Sequence, residues 1–184
     1  QSRSRYPGQP AMWFFVIGDF WIFACYFACY ACDRGQNFEA FLLGQQMLSQ
    51  GIGVFNTVLL LASSLFVAFS VQAARQNATA QAARFLLLGA GCGGVFLLVK
   101  AIEWYIKIRA GLPAGSEDYF IYYFMFTGLH FFHVSLGLVI LALVFRELKM
   151  TRQPKIEFVE SGAIYWHLVD LLWIIIFALL YLLR

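Results

Sequence analysis

Long stretches in which almost every residue is apolar alternate along this chain with short polar stretches. A helix needs about 20 mostly apolar residues to cross about 30 Å of hydrocarbon. Five segments reach that length: Ala11 to Ala31, Ile52 to Val71, Ala83 to Ile106, Tyr119 to Phe145 and Ala163 to Leu183. The stretches between them carry turn formers and charges: Cys32-Asp-Arg-Gly-Gln-Asn37, Arg75-Gln-Asn-Ala-Thr79, Gly111-Leu-Pro-Ala-Gly-Ser-Glu-Asp118 and Arg152-Gln-Pro-Lys155. None leaves room for a soluble domain. The apolar runs are unbroken, whereas the strands of an outer-membrane barrel alternate in character. The pattern predicts an all-α protein, an integral membrane bundle of five transmembrane helices forming a single domain over residues 1–184.

Composition agrees and adds limits. Of the 184 residues, 61% are hydrophobic and 12% charged, about half the charge of an ordinary soluble domain. A net charge of +3, scattered along the chain, does not suggest a nucleic-acid partner. The first span is too long for a signal-peptide core and lacks a small-residue cleavage pattern, so we read it as retained. The chain begins with Gln1 rather than Met, which suggests that residues precede it. Lysines and arginines set the expected orientation. Arg3, Arg5, Arg75, Arg84, Arg146, Lys149, Arg152 and Lys155 flank one side, against Arg34, Lys107, Arg109 and Arg184 on the other. By the positive-inside rule the N-terminus is cytoplasmic and the C-terminus periplasmic.

The informative residues are the exceptions within the spans: Asp19, Lys100, Glu103, His130, His133, His167 and Asp170. A charge at the bilayer centre costs at least about 2.5–3.5 kcal/mol on insertion scales, so these groups should face protein, pair, or sit neutral. Asp19 lies about 12 Å into the first span at about 1.5 Å per residue, and Asp170 at a similar depth in the fifth, with His167 one turn shallower. These three can meet if the two helices are neighbours. Trp166, Asp170 and Trp173 recur at helical spacing and form one stripe. His130 with His133, and Lys100 with Glu103, are i, i+3 pairs. Gly89 and Gly93 have the small-xxx-small spacing of a close helix contact.

Such groups can ligate a metal or haem, relay protons, or form a hydrogen-bond network that fixes packing. The Glu-x-x-His motif of bundle-core metal sites is missing, and we expect no metal held by this chain. Cys25, Cys29 and Cys32 have the spacing of a radical iron–sulfur motif, but on a membrane helix end and without the required barrel. We read them as small hydrophobes. A free-standing metalloenzyme using His130, His133, His167 and Asp170, or a proton conductor using Asp19 and Asp170, is the alternative of another class.

Read with their neighbours, these residues form longer motifs. Glu160-Ser-Gly-Ala-Ile-Tyr165-Trp166-His167-Leu-Val-Asp170-Leu-Leu-Trp173 closely resembles the last-helix signature of subunit III of haem-copper oxidases, E-x-x-x-x-[YF]-W-H-x-[VL]-D-x-x-W. Thr127-Gly-Leu-His130-Phe-Phe-His133-Val-Ser-Leu-Gly137 resembles that family's G-x-H-x-x-H-V-x-x-G helix, and Phe55-Asn56-Thr57-Val-Leu-Leu-Leu-Ala-Ser63-Ser64 its N-T-x-x-L-L-x-S-S helix. Lys100-Ala-Ile-Glu103-Trp104 matches its E-[YW] position, and Met12-Trp-Phe-Phe-Val-Ile-Gly-Asp19 the helix that usually carries a membrane-buried Glu. The chain resembles the last five of the seven spans of the mitochondrial-type subunit, with Asp19 in place of Glu.

Short members of the family include quinol-oxidase subunit III and the NorE-like proteins encoded with bacterial nitric oxide reductase. The Lys100-x-x-Glu103-Trp104 run, the stretch from Tyr122 to His133 and the ending from Trp166 look most like the NorE branch. The resemblance implies an accessory subunit of the bacterial inner membrane with no haem, metal or other cofactor of its own. It implies packing against a haem-containing catalytic subunit and its cytochrome c subunit, with structural phospholipid held between helices. Asp19, His133, Glu160, Trp166, His167 and Asp170 fall on signature positions. With Lys100, Glu103 and His130 they make up the expected buried polar network.

Overall fold

The computed structural model describes residues 10–46, 48–111, 117–151 and 154–183. Six α-helices form there: α1 (Pro10–Gln36), α2 (Phe38–Gln46), α3 (Gln50–Arg75), α4 (Thr79–Ala110), α5 (Glu117–Met150) and α6 (Ile156–Phe177), the last prolonged by a π-helical turn, Ala178–Leu182. Five of them are long and apolar enough to cross a membrane, matching the five spans. The helices overrun the apolar segments because polar ends continue a helix readily once they leave hydrocarbon. Arg3, Arg5, Arg152 and Arg184, used above for orientation, lie outside the described residues, as do residues 112–116 of the Gly-Pro-rich connection.

The additional helix α2 occupies the polar stretch after the first span. Phe41, Gly44 and Gln45 are buried on one side, and Glu39 sits favourably in its first turn. Nine residues are too few to register as a span, so the apolar pattern overlooks the element. A Cβ on Gly44 would run into the ring of Tyr119 on α5, and this close approach seats α2 against the bundle.

Contacts at the helix ends fix the directions. Arg75 near the end of α3 meets Glu160 near the start of α6, so those helices are antiparallel. Tyr181, just beyond α6, meets Lys100 and Glu103 toward the end of α4, so these run in parallel. The turn from α3 to α4 is tight. Asn77 takes a left-handed backbone (φ 59°), which Asn tolerates better than most residues, and the amides of Gln76, Asn77 and Ala78 close onto the last turn of α3.

Helix α6 is the centre of the bundle, with Trp166, Val169, Leu172, Trp173 and Ile176 inaccessible. The seam between α3 and α4 is close, and Ser63 Oγ donates to the Gly89 carbonyl at 2.7 Å, as Ser70 Oγ does to that of Ala82 at 2.8 Å. Gly93 of α4 and Gly137 of α5 flank the Trp166 ring. A Cβ on either would approach ring carbons to 2.6 Å and 2.8 Å, so the indole fills a slot that only glycine leaves open. Helix α1 packs at the edge and leaves Phe14, Ile17 and Trp21 exposed.

Candidate functional site

The polar residues inside the spans fall into three groups. The first joins α1 to α5, where His133 Nε2 lies 3.1 Å from Asp19 Oδ1 and both residues are buried. His133 Nδ1 is 2.7 Å from the Leu129 carbonyl oxygen. A carbonyl only accepts, so Nδ1 carries a hydrogen, and the contact with Asp19 is bonding when a further proton sits between Nε2 and Oδ1. Phe23 packs against the imidazole with ring centroids 5.7 Å apart. Asp19 Oδ2 is buried and completes no hydrogen bond among the described residues.

The second group lies toward the α3–α4 turn. Trp166 Nε1 donates to Ser63 Oγ at 3.0 Å, which passes its own hydrogen on to Gly89. His167 Nδ1 meets Ser64 Oγ at 2.6 Å, and Ser64 also lies beside Asp170. Neither Asp170 oxygen completes a hydrogen bond among the described residues, although the side chain is buried. Closer to the helix ends, Arg75 holds Glu160 at 2.7 Å, with Arg75 more than half exposed.

The third group, toward the α2 end, is a closed triangle. Lys100 Nζ donates to Glu103 Oε2 at 2.9 Å and to Tyr181 Oη at 3.1 Å, while Tyr181 donates to Glu103 Oε1 at 3.0 Å. The ammonium also lies over the rings of Trp173, Tyr123 and Tyr181, at 4.7, 5.4 and 5.5 Å. Lys100 is 1% exposed and Glu103 4%. A buried ion pair persists when further hydrogen bonds satisfy both partners; the Tyr181 hydroxyl supplies them here, and the aromatic faces add cation–π attraction for the ammonium.

His130 stands apart from His133 despite the i, i+3 spacing. Its ring lies between Phe96 and Trp173, at 5.6 and 5.2 Å between centroids, and neither nitrogen completes a hydrogen bond among the described residues. Asn56, also fully buried, is likewise unsatisfied there.

These placements revise the earlier grouping. Asp19 faces His133 rather than Asp170 and His167, because α5 supplies the partner for α1. The four residues that a metalloenzyme would need have separate neighbours. Among the described residues no three of His, Cys, Asp or Glu converge in an arrangement that could hold a metal ion. Cys25, Cys29 and Cys32 are unpaired and exposed along α1, not packed as small core hydrophobes. Sequence reasoning missed the hydroxyl partners. Ser63 and Ser64 stood in a quoted motif without a role, and Thr57, which accepts from Trp173 Nε1 at 3.1 Å, stood beside them. Tyr181 carried no signal, since a tyrosine near a helix end is ordinary at a membrane interface.

A family model described as cytochrome c oxidase subunit III matches residues 9–184. Over 174 residues, 93% of this chain and 84% of the relative, the chain is 26% identical to cytochrome bo(3) ubiquinol oxidase subunit 3 of Buchnera aphidicola subsp. Acyrthosiphon pisum. It is 30% identical over 176 residues to cytochrome c oxidase subunit 3 of Thermostichus vulcanus, covering 92% of this chain and 84% of that one. A further relative, heme-copper oxidase subunit I+III of Aeropyrum pernix, is 28% identical over 189 aligned positions, covering 95% of this chain but 22% of the longer protein. The match spans every helix that carries the three polar groups, and the chain belongs to the cytochrome c oxidase subunit III family.

Proposed function

We propose that this chain is the non-catalytic third subunit of a haem-copper respiratory complex, packed in the membrane against the haem-containing catalytic subunit. The observation that carries this reading is how the polar interior is used. Lys100, Glu103 and Tyr181 bond to one another, Asp19 to His133, and Trp166 and His167 to Ser63 and Ser64. These side chains fix helices against each other, while the outer faces of α1, α3 and α4 remain apolar. A relative named subunit I+III carries the matching segment in one longer polypeptide, which supports subunit I as the partner. The buried network, structural phospholipid between helices, a bacterial inner-membrane location and a cytoplasmic N-terminus belong to the same proposal.

Two catalytic partners are in play. A terminal oxidase is supported by relatives named as ubiquinol oxidase and cytochrome c oxidase subunits. A nitric oxide reductase is supported by the Lys100-x-x-Glu103-Trp104 run and the stretch from Tyr122 to His133, which resemble the NorE branch. Affinity purification of the tagged chain in a mild detergent, followed by mass spectrometry and a visible spectrum, tests both. Recovery of a copper-containing oxidase subunit selects the first, and recovery of a nitric oxide reductase with its cytochrome c subunit selects the second. Purification strictly alone would remove the proposal.

A further inference from the structure

One buried carboxyl is given no partner by the fold. Asp170 is 4% exposed, and neither of its oxygens completes a hydrogen bond among the described residues. The charged groups on the helices around it are engaged elsewhere: Asp19 of α1 with His133 of α5, and Lys100 of α4 with Glu103 and Tyr181. His130 of α5 is enclosed by Phe96 and Trp173. The polar side chain beside Asp170 is Ser64 of α3, which meets His167 Nδ1 at 2.6 Å. Thr57 and Ser135 return their hydroxyl hydrogens to the carbonyl one turn back. Ser64 faces α6 instead, so its hydrogen can point either to the imidazole or to the carboxyl.

His167 also lines a groove of about 400 Å³ between α3 and α6, which the Arg75–Glu160 pair borders. From Glu160 to His167 the groove reaches about 10 Å along α6, at about 1.5 Å per residue. With Nδ1 turned to Ser64, Nε2 is the ring nitrogen left for water in the groove. A proton arriving at Nε2 lets Nδ1 pass its own to Ser64 Oγ, and Ser64 passes its hydrogen to Asp170. His167 and Ser64 each take one proton and give one, so the net change is one proton moved from the groove to the carboxyl. Release runs the same steps in reverse. The row ends there, because Trp173 Nε1 on the next turn donates to Thr57 at 3.1 Å and Thr57 donates to the Gly53 carbonyl at 2.9 Å. We propose that Asp170 is a proton-binding site of this chain, loaded and emptied from the α3–α4 turn side through His167 and Ser64. A buried carboxylate without a counter-charge is costly in a membrane, and one proton removes the charge. A metal ion would need several more oxygen donors than Ser64 supplies. The site goes beyond the packing role of His167 and Ser64, and unlike a conductor it takes and returns its proton on one side.

The test is infrared difference spectroscopy of the full chain in mild detergent, which reads the C=O stretch of a protonated carboxyl and its shift in deuterated water. The unaltered chain should show such a band, lost on raising the pH and missing in Asp170→Asn. Ser64→Ala should slow deuterium exchange at this band by at least about tenfold, the worth of one hydrogen bond in the row. Ser64→Thr keeps a hydroxyl and should restore the exchange, and His167→Phe should slow it as Ser64→Ala does. Ala68→Trp, at an exposed position, fills the groove without touching the row and should also slow exchange. Leu87→Trp, in the separate groove between α4 and α5, should leave the rate unchanged. Should Ser64→Ala fail to fold, Ala68→Trp against Leu87→Trp decides the route. A spectrum with no Asp170-dependent band at any pH at which the chain stays folded would overturn the proposal. So would exchange as fast in Ala68→Trp as in the unaltered chain, or equal slowing in Leu87→Trp. The band is read on this chain alone, so it is measurable whether or not a catalytic subunit co-purifies.

Discussion

Replacing Lys100 with Met tests the closed triangle at the α2 end of the bundle. Met keeps most of the volume and the packing against Trp173 while deleting the charge. Glu103, 4% exposed, then keeps one hydrogen bond from Tyr181 at 3.0 Å and loses its hydrogen-bonded cation, with Lys107 one turn along α4 still acting on it. Removing one partner of a buried pair costs about 3–5 kcal/mol, because the other charge is left uncompensated. The surviving tyrosine bond and the nearby Lys107 place the expected loss at the lower end, about 3 kcal/mol, or more than a hundredfold in the folding equilibrium. Glu103→Leu should cost a similar amount by stranding Lys100. The double variant should recover to within about 1–3 kcal/mol of the original, since a well-packed apolar replacement of a buried pair is near neutral and what remains is the buried Tyr181 hydroxyl left without its partners. Equilibrium unfolding in mixed micelles of mild detergent and SDS, followed by tryptophan fluorescence, gives all four corners of the cycle. Additive losses in the double variant, or a loss below about 1 kcal/mol in Lys100→Met, would refute the reasoning.

Two histidines of one motif should behave oppositely. His130→Phe should be neutral or stabilising in the same assay, because its nitrogens complete no bond and its neighbours are aromatic. His133→Phe should lose about 3 kcal/mol by leaving Asp19 unpaired. Gly93→Leu should cost about 1–3 kcal/mol and shift tryptophan emission, since its Cβ meets Trp166 at 2.6 Å. Arg75→Gln should change stability by less than about 1 kcal/mol, as more than half of Arg75 is exposed.

The spans were legible because the bilayer demands length and apolarity of each helix separately, and both can be counted along a sequence. Helix α2 escaped because nine residues seated by Gly44 against Tyr119 leave no such count. The buried residues were legible as expensive exceptions, yet their partners were not. Lys100 and Glu103 are neighbours on one helix and so could be paired from spacing alone, as the structure has them. Asp19 could not be assigned. Depth along the helix left several candidate partners open, and only the three-dimensional arrangement brings His133 to it rather than His167 or Asp170. Spacing also misled for His130, where i, i+3 proximity to His133 does not stop Trp173 and Phe96 from enclosing one ring and Asp19 from claiming the other. Ser63 and Ser64 look unremarkable in a helix. Their role appears only when Trp166 and His167 arrive from α6.

In this reading the hydrogen-bonded polar side chains hold the helices together, while the redox chemistry belongs to a partner. The most direct measurement is the haem, copper, iron and zinc content of the native complex, taken before and after this chain is stripped from it with detergent. The expected result is that every haem and metal stays with the remaining subunits and the released chain carries none. Stoichiometric haem or metal on the released chain would contradict the account.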